Sequence, residues 1–151
     1  MLMEDLIMVK TVKNLLENKS TEVFTIGPGD LVYDAIVKMA AKQIGALAVV
    51  EGDRVVGIIT ERDYARKVII QNKSSKSTTV RSIMTERVIY VRPDQTIEEC
   101  MALMTEKHIR HLPVLDEDKL VGMISIGDVV KVVISEKEFL IDQLTKYISG
   151  P

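Results

Sequence analysis

The sequence predicts an α/β fold, α+β in its strand arrangement: two tandem copies of a β-α-β-β-α unit after an N-terminal helical lead-in. Three observations lead there. First, the chain matches itself without a gap at an offset of 65: setting residues 23–69 on 88–134 gives 14 identities in 47 positions. Average residue usage would give roughly 3. Val23/Val88, Pro28/Pro93, Met39/Met104, Val49/Val114, Gly57/Gly122 and Asp63/Asp128 are among the matches. Second, within each copy short apolar runs bounded by turn residues alternate with stretches whose apolar residues recur every three or four positions. Third, in a chain of 151 residues each copy is too small to bury both faces of its sheet alone. The copies are therefore expected to pack sheet to sheet with pseudo-twofold symmetry, making a cleft in which ligands lodge.

The lead-in, residues 1–19, carries Leu2, Leu6, Val9, Val12, Leu15 and Leu16 at helical spacing. Residues 23–26 form a strand-like run closed by Gly27-Pro28-Gly29. Asp30 stands where an N-cap belongs. A helix is expected from it to about Gln43, with Leu31, Val32, Ala35, Ile36 and Met39 turned inward and Gly45 as its end. Residues 46–50 and 55–60 are β runs around the hairpin loop Glu51-Gly52-Asp53-Arg54. A second helix follows over about 62–71, and residues 72–79, rich in Lys, Ser and Thr, read as a linker.

The order then repeats. Residues 88–91 are the strand, Arg92-Pro93-Asp94 the turn, and Thr96 with Glu99 a capping box opening a helix that Ile97, Met101 and Met104 continue. Residues 112–115 and 120–125 make a hairpin around Asp116-Glu117-Asp118-Lys119. The last helix is expected from near Gly127 to Tyr147, with a break around Ser135, and Gly150-Pro151 stops it. The organisation is thus 1–22 lead-in, 23–86 first unit with linker, and 87–151 second unit with C-terminal helix.

Composition excludes several function classes. The chain is 46% hydrophobic and 28% charged, with a mean hydropathy of +0.13, which is an ordinary globular balance. A net charge of −2 and no tryptophan leave neither a basic field nor stacking residues for nucleic acid. Runs such as Ala46-Leu47-Ala48-Val49-Val50 are too short to span a bilayer. The start carries Glu4 and Asp5 and no cleavable signal pattern, so a cytoplasmic location is expected. The single cysteine, Cys100, forms no intrachain disulfide, which agrees with a reducing compartment. No Ser–His–Asp or Cys–His arrangement and no Walker-type loop is present, so no enzyme and no catalytic residue is expected. Two lone histidines and one distant cysteine do not make a metal site.

The best-defined motif occurs twice. Val56-Gly57-Ile58-Ile59-Thr60-Glu61-Arg62-Asp63 falls on Val121-Gly122-Met123-Ile124-Ser125-Ile126-Gly127-Asp128. Each is an apolar strand, a hydroxyl residue, two variable residues and an aspartate at a helix mouth, where free N–H groups and a positive dipole end suit a phosphate. With Ile44-Gly45-Ala46-Leu47-Ala48-Val49 and Ile109-Arg110-His111-Leu112-Pro113-Val114, these paired motifs make the chain resemble a pair of CBS domains, the Bateman module of the stand-alone bacterial and archaeal type, from Val12 to Ile134.

The resemblance implies a regulatory module that senses adenosine compounds in the clefts between its two motifs. AMP is expected first, then NAD(H), ADP, ATP or S-adenosylmethionine, with no metal required. It implies that Asp63 with Thr60, and Asp128 with Ser125, hold ribose hydroxyls, a task suited to a carboxylate that accepts two charge-assisted hydrogen bonds. It places Gly45, Ala46, Arg110 and His111 along the clefts, with Arg110, His111 and Arg62 as phosphate-binding cations. Ile26 and Ile44, or Val91 and Ile109, become apolar walls for adenine, with Ile58 and Met123 on the adjoining strands. Because Gly45-Ala46 stands where the second copy has Arg110-His111, and Arg62 where it has Gly127, the two sites are not equivalent. The resemblance also implies a homodimer formed through helices, and an effector protein downstream.

Plainer readings stand beside these. Thr60-x-x-Asp63 and Ser125-x-x-Asp128 are also capping boxes, and the two roles are compatible. A cap alone, however, does not demand Gly57 or Gly122 before it. Cys100, matching Ala35, reads as a small core residue; His108 reads as solvated, and the eight methionines as core filler. Met1, Met3 and Met8 are the exceptions that would suit a dimer seam. A rival function is a protein-interaction scaffold whose nucleotide sites are vestigial.

Overall fold

A computed structural model describes residues 10–19 and 22–149. The rest of the lead-in, with Met1, Met3 and Met8, and the stop signal Gly150-Pro151 lie outside the described residues. The helices are α1 (Val12–Glu17), α2 (Val32–Lys42), α3 (Glu61–Tyr64), α4 (Val80–Ile83), α5 (Ile97–Lys107) and α6 (Ile126–Ser149). A π-helical turn, Ala65–Ile69, continues α3. The strands are β1 (Thr25–Ile26), β2 (Ala46–Glu51), β3 (Arg54–Thr60), β4 (His111–Asp116) and β5 (Lys119–Ser125). The described residues divide into two compact units, one of residues 22–90 and 113–123, the other of residues 10–19, 91–112 and 124–149.

In the first unit β1 runs parallel to β2, pairing Thr25 with Ala48 and Ile26 with Val49. β3 returns antiparallel, pairing Ala46 with Thr60 and Ala48 with Ile58, with an irregularity at Val49/Val50. Gly52 turns this hairpin at φ +63, a left-handed conformation open to glycine without strain. Leu47, Val49 and Ile59 are fully buried, clustered with Val32, Ala35, Met39, Val68, Val80 and Ile83. In the second unit Val12, Val91, Ile97, Cys100, Met104, Leu112, Ile124 and Val129 are buried. Most are the offset-65 counterparts of first-unit core residues, Cys100 in the place of Ala35 as expected. β4 and β5 form a two-stranded hairpin, turned at Glu117 and Asp118, both at positive φ.

Several boundaries differ from the sequence expectations. α2 is capped at Leu31 without a side-chain bond; the Asp30 carboxylate instead accepts the Gly27 N–H at 2.8 Å, tightening the turn. α2 stops near Gln43 as expected, but Gln43 itself, not Gly45, makes the end: it takes the left-handed conformation and returns its N–H to the last turn. His108 does the same after α5. Of the strand expected over 88–91 only Val91 bridges. α6 passes Ser135 unbroken.

The larger difference concerns residues 75–85, which are not merely a linker. They are laced to the first unit by Val32 N–H to Thr78 O (2.9 Å), Val80 N–H to Asp30 O (2.8 Å) and Arg81 N–H to Pro28 O (2.9 Å). Residues 10–13 repeat the pattern in the second unit: Ile97 N–H to Lys10 O (3.0 Å), Val12 N–H to Gln95 O (2.8 Å) and Lys13 N–H to Pro93 O (2.9 Å). The sequence explains the likeness, since Thr11-Val12-Lys13-Asn14-Leu15-Leu16 reads onto Thr79-Val80-Arg81-Ser82-Ile83-Met84 at an offset of 68. The second copy is therefore closed by the lead-in, and the first by the segment that follows it.

Candidate functional site

The two corners named from the sequence are built alike. At the end of β3, Thr60 is extended, and its hydroxyl oxygen accepts the Asp63 N–H at 3.0 Å. Asp63 Oδ2 accepts in return from the Thr60 N–H at 3.0 Å and its hydroxyl at 3.1 Å. At the end of β5, Ser125 Oγ accepts the Asp128 N–H at 3.2 Å, and Asp128 Oδ2 accepts the Ser125 N–H at 2.8 Å. The residues before β2 and β4 lie against the corners by equivalent bonds. Glu61 N–H reaches Gly45 O at 3.1 Å, and Ile126 N–H reaches Arg110 O at 2.9 Å. Two residues far apart in the chain are thereby brought to each corner.

The fold thus joins Gly45, Ala46, Thr60 and Asp63 in one unit, and Arg110, Ser125 and Asp128 in the other. Ile58 is nearly buried on β3, and Val91 is wholly buried. Ile26, Ile44, Ile109, His111 and Met123 are half-buried, while the Arg62 and Arg110 side chains are exposed.

Two lysines complete the corners, and sequence reasoning missed both. Lys67 Nζ lies 3.1 Å from Asp63 Oδ1 and also donates to Ile83 O at 2.8 Å. Its i+4 spacing on one helical face was a readable signal. Lys19 Nζ lies 2.7 Å from Asp128 Oδ2; it arrives from 109 residues away, and no local pattern announces it.

The environments differ. The Asp63 side chain is 12% exposed, whereas the Asp128 side chain is 23% exposed. Burial pushes the Asp128 carboxyl up, but the Lys19 hydrogen bond, the Ser125 N–H and the Lys19 charge together hold it below the ordinary carboxylate value. Asp128 also lines a groove of about 1120 Å³ whose polar rim includes Lys10, Asn14, Lys19 and Lys131 and whose apolar lining includes Leu15, Ile97, Met101 and Phe139. α6 offers a full helix N-terminus behind Asp128, whereas α3 is four residues long.

Gly57 has a packing role. A Cβ there would stand 2.6 Å from Met84 Sδ and 3.0 Å from Thr85 O, because Thr85 pairs with Ile58 through two backbone bonds of 3.0 and 2.9 Å. The glycine before the first corner is thus required by close chain approach, and its presence is no argument for a ligand. Among the described residues no group of three or more His, Cys, Asp or Glu is placed to hold a metal ion, and no helix is long and apolar enough to cross a membrane.

Comparison with known proteins agrees with this geometry. A family model described as the CBS domain matches twice, over residues 12–70 and 80–135. The Arabidopsis thaliana protein called CBS domain-containing protein CBSX3, mitochondrial, is 48% identical over 126 residues, covering 80% of this chain. This chain spans only 61% of that relative's length. A solved CBS-domain protein from Burkholderia ambifaria is 57% identical with a TM-score of 0.81, over 83% of this chain and 95% of that one. A CBS domain pair solved in complex with methylthioadenosine and S-adenosyl-L-methionine is 26% identical with a TM-score of 0.76, over 85% of this chain and 99% of that one. Two matched copies, each starting at its own closing segment and carrying its own capped corner, place this chain in the CBS-domain family as a tandem pair.

Proposed function

We propose that this CBS pair is a regulatory module, not an enzyme, that binds an adenosine-containing nucleotide at its two corners, with AMP the first candidate and NAD(H) or ATP next. One observation carries the reading: the same strand-to-helix corner occurs twice, each with an aspartate at its mouth and a cationic partner beside it. A carboxylate so placed accepts paired ribose hydroxyls, and a lysine freed from it meets the phosphates. The relative solved with methylthioadenosine and S-adenosyl-L-methionine supports the ligand class. In this reading Asp63 with Thr60 and Asp128 with Ser125 hold ribose. Arg62, Arg110 and His111 serve the phosphates, and Gly45, Ala46, Ile26, Ile44, Ile58, Val91, Ile109 and Met123 shape the adenine surroundings. The module acts as a cytoplasmic homodimer whose state is read by an effector protein.

The second corner fills first, because Asp128 is the more exposed acid and borders an open, lysine-rimmed groove. Calorimetric titration with AMP, ATP, NADH and S-adenosylmethionine tests this. Asp128→Ala removes a charge-assisted acceptor worth about 1.5–3 kcal/mol, roughly tenfold to a hundredfold in affinity. Wild-type protein freed of nucleotide that binds none of the four contradicts the reading.

One observation favours the scaffold alternative for the first corner. Asp63 is buried and bonded to Thr60 and Lys67, which is a complete structural cap. Binding unaffected by Asp63→Ala assigns that corner to structure alone.

A further inference from the structure

Each corner is tied by a lysine to the segment that closes its own copy. In the first copy Lys67 Nζ stands between Asp63 Oδ1 at 3.1 Å and Ile83 O at 2.8 Å. Ile83 is the last residue of α4, and a terminal carbonyl finds no donor within its own helix. In the second copy the acid and the closing segment meet directly. Lys19 lies two residues beyond α1, and its Nζ is 2.7 Å from Asp128 Oδ2.

The two ties are not relics of one ancestral contact. Lys67 falls on Val132 at the offset of 65, and Lys19 falls on Arg87 at the offset of 68. Unrelated positions therefore supply the same connection from opposite ends, one lysine reaching out from the corner and the other reaching in from the closing segment. What they hold is otherwise thin. α4 is four residues long and α1 six, too short to stand without outside support. Beyond the buried Val80, Ile83, Val12 and Leu15, their order depends on a few backbone bonds. These are Val80 N–H to Asp30 O and Thr85 N–H to Ile58 O in one copy, and Val12 N–H to Gln95 O and Lys13 N–H to Pro93 O in the other.

We propose that Lys67 and Lys19 are latches, each making the order of a closing segment depend on whether the lysine or a ligand holds the corner acid. The inference rests on the nucleotide reading above only for what opens the latch. A ribose that takes the carboxylate gives the ammonium over to the phosphates. Lys67 then leaves Ile83 O, and Lys19 draws the end of α1 with it. Occupancy of a corner becomes looseness in residues 79–85 or 11–19, the stretches that lead into the second and the first copy respectively.

Hydrogen exchange of the full chain, read amide by amide, tests this in the nucleotide-free state with Lys67→Met and Lys19→Met, which keep the apolar stem and remove the charge. Lys67→Met is expected to speed exchange at Val80 and Thr85 by roughly tenfold, the loss of one charge-assisted bond, and to leave Val12 and Lys13 unchanged. Lys19→Met does the converse. Unchanged exchange across the β2–β3 hairpin separates local loosening from general destabilisation. If a methionine variant does not fold, Asp63→Asn or Asp128→Asn, which severs the acid end of the same tie, is read in its place. Variants that exchange like wild type at these amides, or that speed the hairpin equally, overturn the latch. Added AMP should bring the wild-type amides towards the variant rate and change the variants no further. AMP that binds by calorimetry, yet leaves both closing segments at or below their free-chain rate, overturns the latch and leaves the nucleotide reading standing. A chain that binds none of AMP, ATP, NADH and S-adenosylmethionine contradicts that reading, and the nucleotide-free variants still decide the latch.

Discussion

At the residue scale, Asp63 and Asp128 occupy equivalent positions with unequal reach. Asp63 has both oxygens engaged, one by Thr60 and one by Lys67, and little exposure. A ribose must displace Lys67 to reach it, so Asp128→Ala is expected to weaken nucleotide binding more than Asp63→Ala; equal losses by calorimetry contradict this ordering. The Asp128 pairing also has a pH signature. Its carboxyl sits below the ordinary value of 3.8 in the folded chain, so the stability it contributes is complete above about that pH and is lost as pH falls through the folded value. Chemical denaturation should find Asp128→Asn less stable than wild type near neutrality, with the gap closing in acid below pH 3.8. A gap that stays constant into acid removes the pairing from the account. Cys100 is buried, its thiol pushed up to about 11 by burial and then by the Glu99 carboxylate. At neutral pH it is a thiol, not a thiolate. Maleimide labelling should be slow in the native chain and rapid on unfolding.

At the scale of elements, the glycine in β3 and the segment around α4 form one assembly. Thr85 can pair with Ile58 because Gly57 leaves room for Met84. Gly57→Ala should destabilise the fold by about 1–3 kcal/mol, and combining it with Met84→Ala should be less than additive, since both act on one contact. Additive effects in urea denaturation refute the coupling. This assembly also marks where the sequence was hard to read. The β2-β3 hairpin, α2, α5 and the capped corners were legible, because period and cap chemistry are local. Residues 75–85 were not, because their role is fixed by backbone bonds to Asp30, Pro28 and Val32, which composition does not record. Their likeness to residues 11–16 was present, but three residues out of step with the offset that aligns the rest. α2 stops near Gln43 as its period suggested, but Gln43 itself rather than Gly45 makes the end, because a left-handed cap needs only a residue that tolerates positive φ. The candidate site was legible to the same extent: its acids and hydroxyls came from the motif, while Lys19 came from a contact between distant segments.

At the scale of the whole molecule, duplication has given two copies that share core positions and corner geometry but differ in the groups around each acid. The first presents Gly45 and Ala46 where the second presents Arg110 and His111. Such a pair fits a sensor with one site of higher affinity and one of lower. The most direct measurement is a crystal structure of the chain soaked with its tightest-binding adenosine nucleotide. The account predicts the ribose hydroxyls within hydrogen-bonding distance of the Asp128 carboxylate, with Lys19 moved from Asp128 towards the phosphate. A bound nucleotide lying elsewhere, with the Lys19–Asp128 pair intact, contradicts it.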